Sequence, residues 1–258
     1  MKRYFPYKII IGILCLVIII QTIVIFRILR KKPPVLVEVI KGKIAIVLDD
    51  WGYNLENLNL LDEIKYPLTI SILPNLNYSR LLAKKLHQKN FEVILHLPLQ
   101  PHEKVPLEKD TIMTSMDEAK IKEILKNDLA NLIYVKGVSN HMGSRATEDA
   151  RIMGIIFKEL KKRKLYFLDS FVSSNSVCQD LAHQMQLKFA KRDIFLDNTE
   201  EASYIKNQIN KLKIRARIYD TAIGIGHNHK VTLEVLKEMM PKLAKEGYKF
   251  VFVSELVK

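Results

Sequence analysis

Cysteine is nearly missing from this chain of 258 residues, which has two, Cys15 and Cys178. The first lies in a long uncharged run, so no disulfide framework organises the fold. Glycine is also scarce, at nine residues. No Gly-rich phosphate loop follows the first apolar run, which ends in "DDWGYN", and this counts against a dinucleotide-binding sheet. Internal repeats, low-complexity tracts and Gly/Ser linkers are absent from the body of the chain, which excludes solenoids and extended disorder. Basic clusters interleaved with aromatic residues are lacking too. The net charge of +13 is uneven: residues 1–43 hold nine Lys/Arg against one acid, and the rest of the chain holds 32 against 27. The body is only mildly basic, its lysines spread over solvent-facing helix positions, and no nucleic-acid partner is expected.

What the N-terminus does have is "IIIGILCLVIIIQTIVIF", Ile9 to Phe26, without a charge and flanked by Lys and Arg on both sides. At about 1.5 Å per residue this run just crosses a bilayer core of roughly 30 Å. No small-residue cleavage site follows, and Leu14 before Cys15 does not fit a lipobox, so residues 1–30 read as an uncleaved transmembrane signal anchor. The heavier positive charge on its C-terminal side would, by itself, keep the body cytoplasmic. Residues 31–42 read as a juxtamembrane linker stiffened by Pro33 and Pro34, and residues 43–258 as one globular domain.

Within that domain strand and helix patterns alternate. Apolar runs at 43–49, 68–73, 91–97, 135–141, 164–169, 187–190, part of 215–226 and 248–253 predict strands. Amphipathic segments at 55–64, 78–89, 117–133, 148–163, 175–186, 200–212 and 230–246 predict the helices between them, with Asn54, Asn77, Thr147 and Thr199 in cap positions. The fold class expected is α/β: a distorted (β/α) barrel of about seven to eight parallel strands, in preference to an open doubly wound sheet.

Functional residues of such a barrel collect where strands end at their C-terminal side. The first strand ends in Asp49 and Asp50, the third in His96, the fourth in Asn140, His141 and Arg145, the fifth in Asp169 and Ser170, and the seventh in His227 and His229. One Asp and two His from different strands form a facial ligand set for a divalent metal. A cation also accounts for two adjacent carboxylates after a buried strand, since it holds one ionised and leaves the other as a base. Each residue has an ordinary reading as well: Asp pairs cap helices, single histidines sit at rims, and Arg145 pairs with Asp149 four residues on.

The segments "IAIVLDDWG", "ILHLPLQP", "GVSNHMGSRAT", "FLDSFVSSNSV" and "AIGIGHNH" occur in that order and resemble the divergent polysaccharide deacetylases, a distant branch of the NodB-homology carbohydrate esterases. The resemblance covers the domain and implies a NodB-like barrel in which a divalent metal, with zinc favoured, assists removal of acetyl groups from N-acetylated sugars. It implies Asp50, His96 and His141 as metal ligands, Asp49 as base, His227 as general acid, and Asn140, Arg145, Asp169 and Ser170 as supporting or substrate-side groups. It further implies a glycan substrate and a bacterial inner-membrane protein whose domain lies on the periplasmic or extracytoplasmic side. Three departures stand out: there is no H-x-x-x-H pair, no arginine-and-proline groove motif, and Gln100 stands where Glu is expected. Two other readings are a non-catalytic envelope protein that binds glycan or a protein partner, and a phosphoesterase, for which Arg145 is the clear phosphate-binding candidate.

Overall fold

The structure, a computed structural model, describes residues 7–29 and 40–258, which fall into two units. Most of the expected linker, with Pro33 and Pro34, and several flanking basic residues lie outside the described residues. In the first unit, α1 (Tyr7–Leu29) has 23 residues and spans about 34 Å. Among the described residues it is the one helix long and apolar enough to cross a membrane.

The second unit begins with β1 (Gly42–Trp51), α2 (Leu58–Glu63), β2 (Thr69–Ile72), α3 (Ser79–Gln88) and β3 (Glu92–Leu99). It continues through α4 (Glu118–Asn131), β4 (Gly137–Met142), α5 (Ala150–Lys162), β5 (Tyr166–Asp169), α6 (Cys178–Met185) and β6 (Phe189–Lys191). The last elements are β7 (Ile194–Phe195), α7 (Ala202–Tyr219), β8 (Thr221–His227), α8 (Lys230–Lys245) and β9 (Tyr248–Phe250). The strands form one parallel sheet in the order β6-β5-β4-β3-β2-β1-β8-β7, with β9 paired to the start of β1. Strands β6 and β7 lie at opposite ends of this path, yet only Arg192 and Asp193 separate them in the chain. Two linking residues reach about 10 Å, so the sheet must curl until its ends nearly meet. The result is the distorted barrel, with a seam in place of a closing ladder.

Strand alternation sorts the core. Ile44, Ile46 and Leu48 face outward into the layer under the helices, while Ala45 and Val47 face inward with Ile94, Leu168, Ile223 and Ile225. At the base of the barrel Glu92 accepts hydrogen bonds from Thr69 Oγ1 (2.8 Å) and Tyr166 Oη (2.9 Å). The base is therefore filled, and the opposite end, where the strands have their C-termini, is left for chemistry.

The structure corrects some local expectations. Helix α7 continues to Tyr219, past the expected end at 212, because Ile205, Ile209, Leu212 and Ala216 keep one buried stripe at helical spacing, and the strand expected in part of 215–226 is β8. Asp149, not Thr147, caps α5, accepting from Arg151 N and Ile152 N. The hydroxyl of Thr147 donates instead to Gly143 O.

One polar residue breaks the buried face of α4. Asp128 is 1% exposed, its Oδ1 accepts from Asn75 Nδ2 at 2.7 Å, and its Oδ2 has no partner. Burial pushes its carboxyl up to about 7. A folded-state value above the ordinary 3.8 means that this group costs the fold stability as pH rises through the window between the two, and the full cost persists above it. Asp128→Asn keeps the acceptor for Asn75 and carries no charge, so melting temperature is expected to rise by roughly 5–10 °C at pH 8 and change little at pH 4. Thermal unfolding at the two pH values checks this; a lower melting temperature at pH 8 would refute it.

Candidate metal and acid–base site

In a regular strand Asp49 and Asp50 would point to opposite faces. Asp49 follows Ala45 and Val47 onto the inner face and is 2% exposed. Asp50 is redirected by a bulge: Leu48 pairs with Ile70 and Trp51 with Ile72, three steps on β1 against two on β2. Asp50 takes up the extra residue with φ +62°, and Trp51 returns to the outer core. The bulge thus turns both carboxylates toward the barrel mouth.

His96 comes from β3 and His141 from β4. Asp50 Oδ1 lies 3.2 Å from His96 Nε2 and 3.0 Å from His141 Nδ1, and the two rings meet edge to face with centroids 4.9 Å apart. Gly143 (φ +90°) shapes the turn after His141, where a Cβ would come within 2.8 Å of Leu99 Cβ. His96 Nδ1 lies 2.8 Å from Ser139 Oγ, which is 2.7 Å from Ser71 Oγ. These two serines, both fully buried, fix the ring of His96 so that Nε2 faces the carboxylates.

Three ligand atoms, one each from Asp50, His96 and His141, lie within 4.8 Å of one another, and Asp50 Oδ1 is buried with no hydrogen-bond partner. A buried carboxylate oxygen with no hydrogen bond, facing two imidazole nitrogens at ion-pair distance, fits a divalent cation, and the N,N,O donor set suits zinc. Burial acts to raise the Asp50 carboxyl, but His141 and His96 outweigh it and hold the group ionised, well below the usual carboxylate range. Asp49 moves the other way: burial raises it, opposed by His96 at 3.7 Å and reinforced by the charge of Asp50.

On the other side of β1, the register with β8 sets Asp49 opposite His227. His227 Nδ1 lies 2.8 Å from Asp197 Oδ1, while Asp197 Oδ2 accepts from His227 N and Thr232 Oγ1, both at 2.7 Å. Burial works to lower the imidazole, yet Asp197 overcomes this and lifts it to about 9. Phe195 stacks on the ring at 5.9 Å, and the Arg192 guanidinium lies 3.5 Å over Phe195. Arg192 also donates to Ser170 O (2.6 Å) and Phe171 O (2.7 Å), just past the end of β5.

The other residues marked in the sequence either join neighbouring strand ends or stand in solvent. Asn140 Oδ1 accepts from Ser170 N and Ser170 Oγ donates to Asn140 O, which joins the ends of β4 and β5. Asp169 accepts from Phe171 N and Ser176 Oγ, and its carboxyl is raised by burial. Arg145 is exposed on the turn after β4 with no ion pair. Gln100 holds the following loop by accepting from Thr114 N and Thr114 Oγ1. Tyr53, exposed beside the mouth, donates to Glu108.

The sequence left Asp197, Arg192, Ser71, Ser139 and Tyr53 unmarked. For Asp197 one signal was present: "LD" ends an apolar run three times, at Leu48-Asp49, Leu168-Asp169 and Leu196-Asp197.

The curled parallel sheet, with Asp, His and His at its strand ends and a carboxylate-bound His opposite, has the fold of a deacetylase-like barrel. The profile of the divergent polysaccharide deacetylases matches residues 46–257, and the chain belongs to that family. An uncharacterized Escherichia coli K12 protein, YibQ, is 36% identical over 205 residues, covering 80% of this chain and 64% of its own length. An uncharacterized Agrobacterium tumefaciens C58 protein of known structure superposes with TM-score 0.80 at 21% identity, covering 84% of this chain and 89% of its own. A peptidoglycan N-acetylglucosamine deacetylase shares the fold at TM-score 0.53 and 12% identity, over 84% of this chain and 88% of its own.

Proposed function

We propose that this protein is a metal-dependent deacetylase that removes acetyl groups from N-acetylated sugars of an envelope glycan. In this reading α1 anchors it in a bacterial inner membrane and its domain faces the extracytoplasmic side. The observation that carries the reading is the buried Asp50 Oδ1, with no hydrogen bond of its own, held between two imidazole nitrogens, with Asp49 beside it and His227 paired opposite Asp49 on β8.

Asp50, His96 and His141 would hold the cation. When bound, it supplies Lewis-acid polarisation of the acetamide carbonyl. Asp49 accepts a proton from the attacking water as its oxygen bonds to the acetyl carbon. As the C–N bond breaks, His227 donates its proton to the departing nitrogen, giving acetate and a free amine. Amide nitrogen is a poor leaving group without that proton, so a histidine held charged is suited to the task. Ser139 orients His96, and Asp197 both orients His227 and keeps it protonated.

Elemental analysis of the full chain in detergent is expected to give close to one tightly held zinc or similar ion per chain, lost in His96→Ala and in His141→Ala. Acetate release from N-acetylglucosamine oligomers should fall with it. Failure to take up any divalent ion would sink the hydrolytic reading and leave a barrel that binds glycan.

A further inference from the structure

The motif His227-Asn228-His229 is only half used by this chemistry. The chain turns tightly at Asn228, where His229 N donates to His227 O at 2.7 Å, and this brings the two rings to a centroid distance of 5.8 Å. One ligand atom each from Asp197, His227 and His229 lies within 4.8 Å of the others, a second such cluster besides that of Asp50, His96 and His141. Glu200 Oε1, from the connection between β7 and α7, is 3.5 Å from His229 Nδ1.

These groups have distinct capacities. The Asp197 side chain is fully buried, and its oxygens already accept from His227 Nδ1, His227 N and Thr232 Oγ1. It is the outer carboxylate that a metal-ligating histidine characteristically has behind it, and it directs His227 Nε2 outward. The side chains of His227, His229 and Glu200 are 28%, 37% and 60% exposed, so an ion can reach them from solvent. Two imidazoles and a carboxylate suit zinc over magnesium or calcium.

We infer that His227, His229 and Glu200 form a second, weaker zinc site on the rim of the mouth, with Asp197 supporting His227 from behind. The same Nε2 cannot hold a zinc ion and deliver a proton, so zinc bound there blocks the step assigned to His227. The site stands on its own geometry; the blocking rests on the deacetylase reading.

Equilibrium dialysis of the chelator-stripped full chain in detergent against increasing zinc tests it, with acetate release measured in parallel. Two zinc ions per chain are expected for the wild type. His229→Ala and Glu200→Gln should keep the tight ion and bind the second at least about tenfold more weakly, while Asp50→Ala should keep only the weak one. Excess zinc should inhibit the wild type, and inhibition of His229→Ala should need at least about tenfold more zinc. A single ion per chain across the range, or a second ion that persists in both rim variants, overturns the site. Dialysis that behaves as expected beside a wild type releasing no acetate at any zinc level leaves the site standing and refutes the deacetylase reading.

Discussion

Asp49→Asn is expected to lower kcat about 10²–10⁴-fold while leaving bound metal unchanged. Asparagine preserves the size of the group and removes the basic oxygen, so the variant separates proton transfer from metal holding. The bulge at Asp50 makes that separation possible: Asp50 touches both imidazoles, whereas Asp49 approaches only His96, at 3.7 Å. Asp50→Asn should therefore lose metal and rate together. Because burial raises the Asp49 carboxyl, the acid side of the rate profile should lie above the ordinary carboxylate range, with activity falling as pH drops through it and Asp49 takes up a proton. The check is a pH–rate profile with zinc content measured on the same samples. An Asp49→Asn enzyme retaining a tenth of wild-type kcat would assign the base elsewhere.

The two aspartates also show where a sequence stops being legible. An apolar run ending in two carboxylates was enough to mark the site, and period-two alternation was enough to assign Asp49 to the interior. Nothing in the residue types announced the left-handed backbone at Asp50, a non-glycine, which depends on how β1 and β2 pair. Long, strongly periodic elements were readable, among them β1, β3, α5 and α8. Strand β7 was not, because two residues carry no period, and Asp197 was lost with it. The hydroxyls of Ser71 and Ser139 were hidden for another reason: serine in a strand is unremarkable until its neighbour across the sheet is known. The expectation for Arg145 came from its place in a motif, yet its side chain stays in solvent, and the partner considered for it, Asp149, is used as a helix cap.

Asp197→Asn should move the alkaline side of the rate profile further than any other single change. A general acid works only while protonated, so wild-type activity should fall as pH rises through about 9, the value to which Asp197 lifts His227 against the effect of burial. With the charge of Asp197 removed, His227 should fall back toward its ordinary 6.5, since burial is then opposed only by the smaller effects of Asp49 and Asp50. At pH 8 the protonated fraction drops from roughly nine-tenths to a few per cent, which predicts a loss of about 30-fold in kcat/KM, with a much smaller loss at pH 6. The amide also presents N–H where Asp197 Oδ2 accepted from His227 N and Thr232 Oγ1, so some stability should be lost as well. The midpoint of the alkaline limb does not depend on the fraction of folded enzyme, which makes it the decisive reading. A midpoint unchanged near 9 would mean that Asp197 is only a structural partner and that another group delivers the proton.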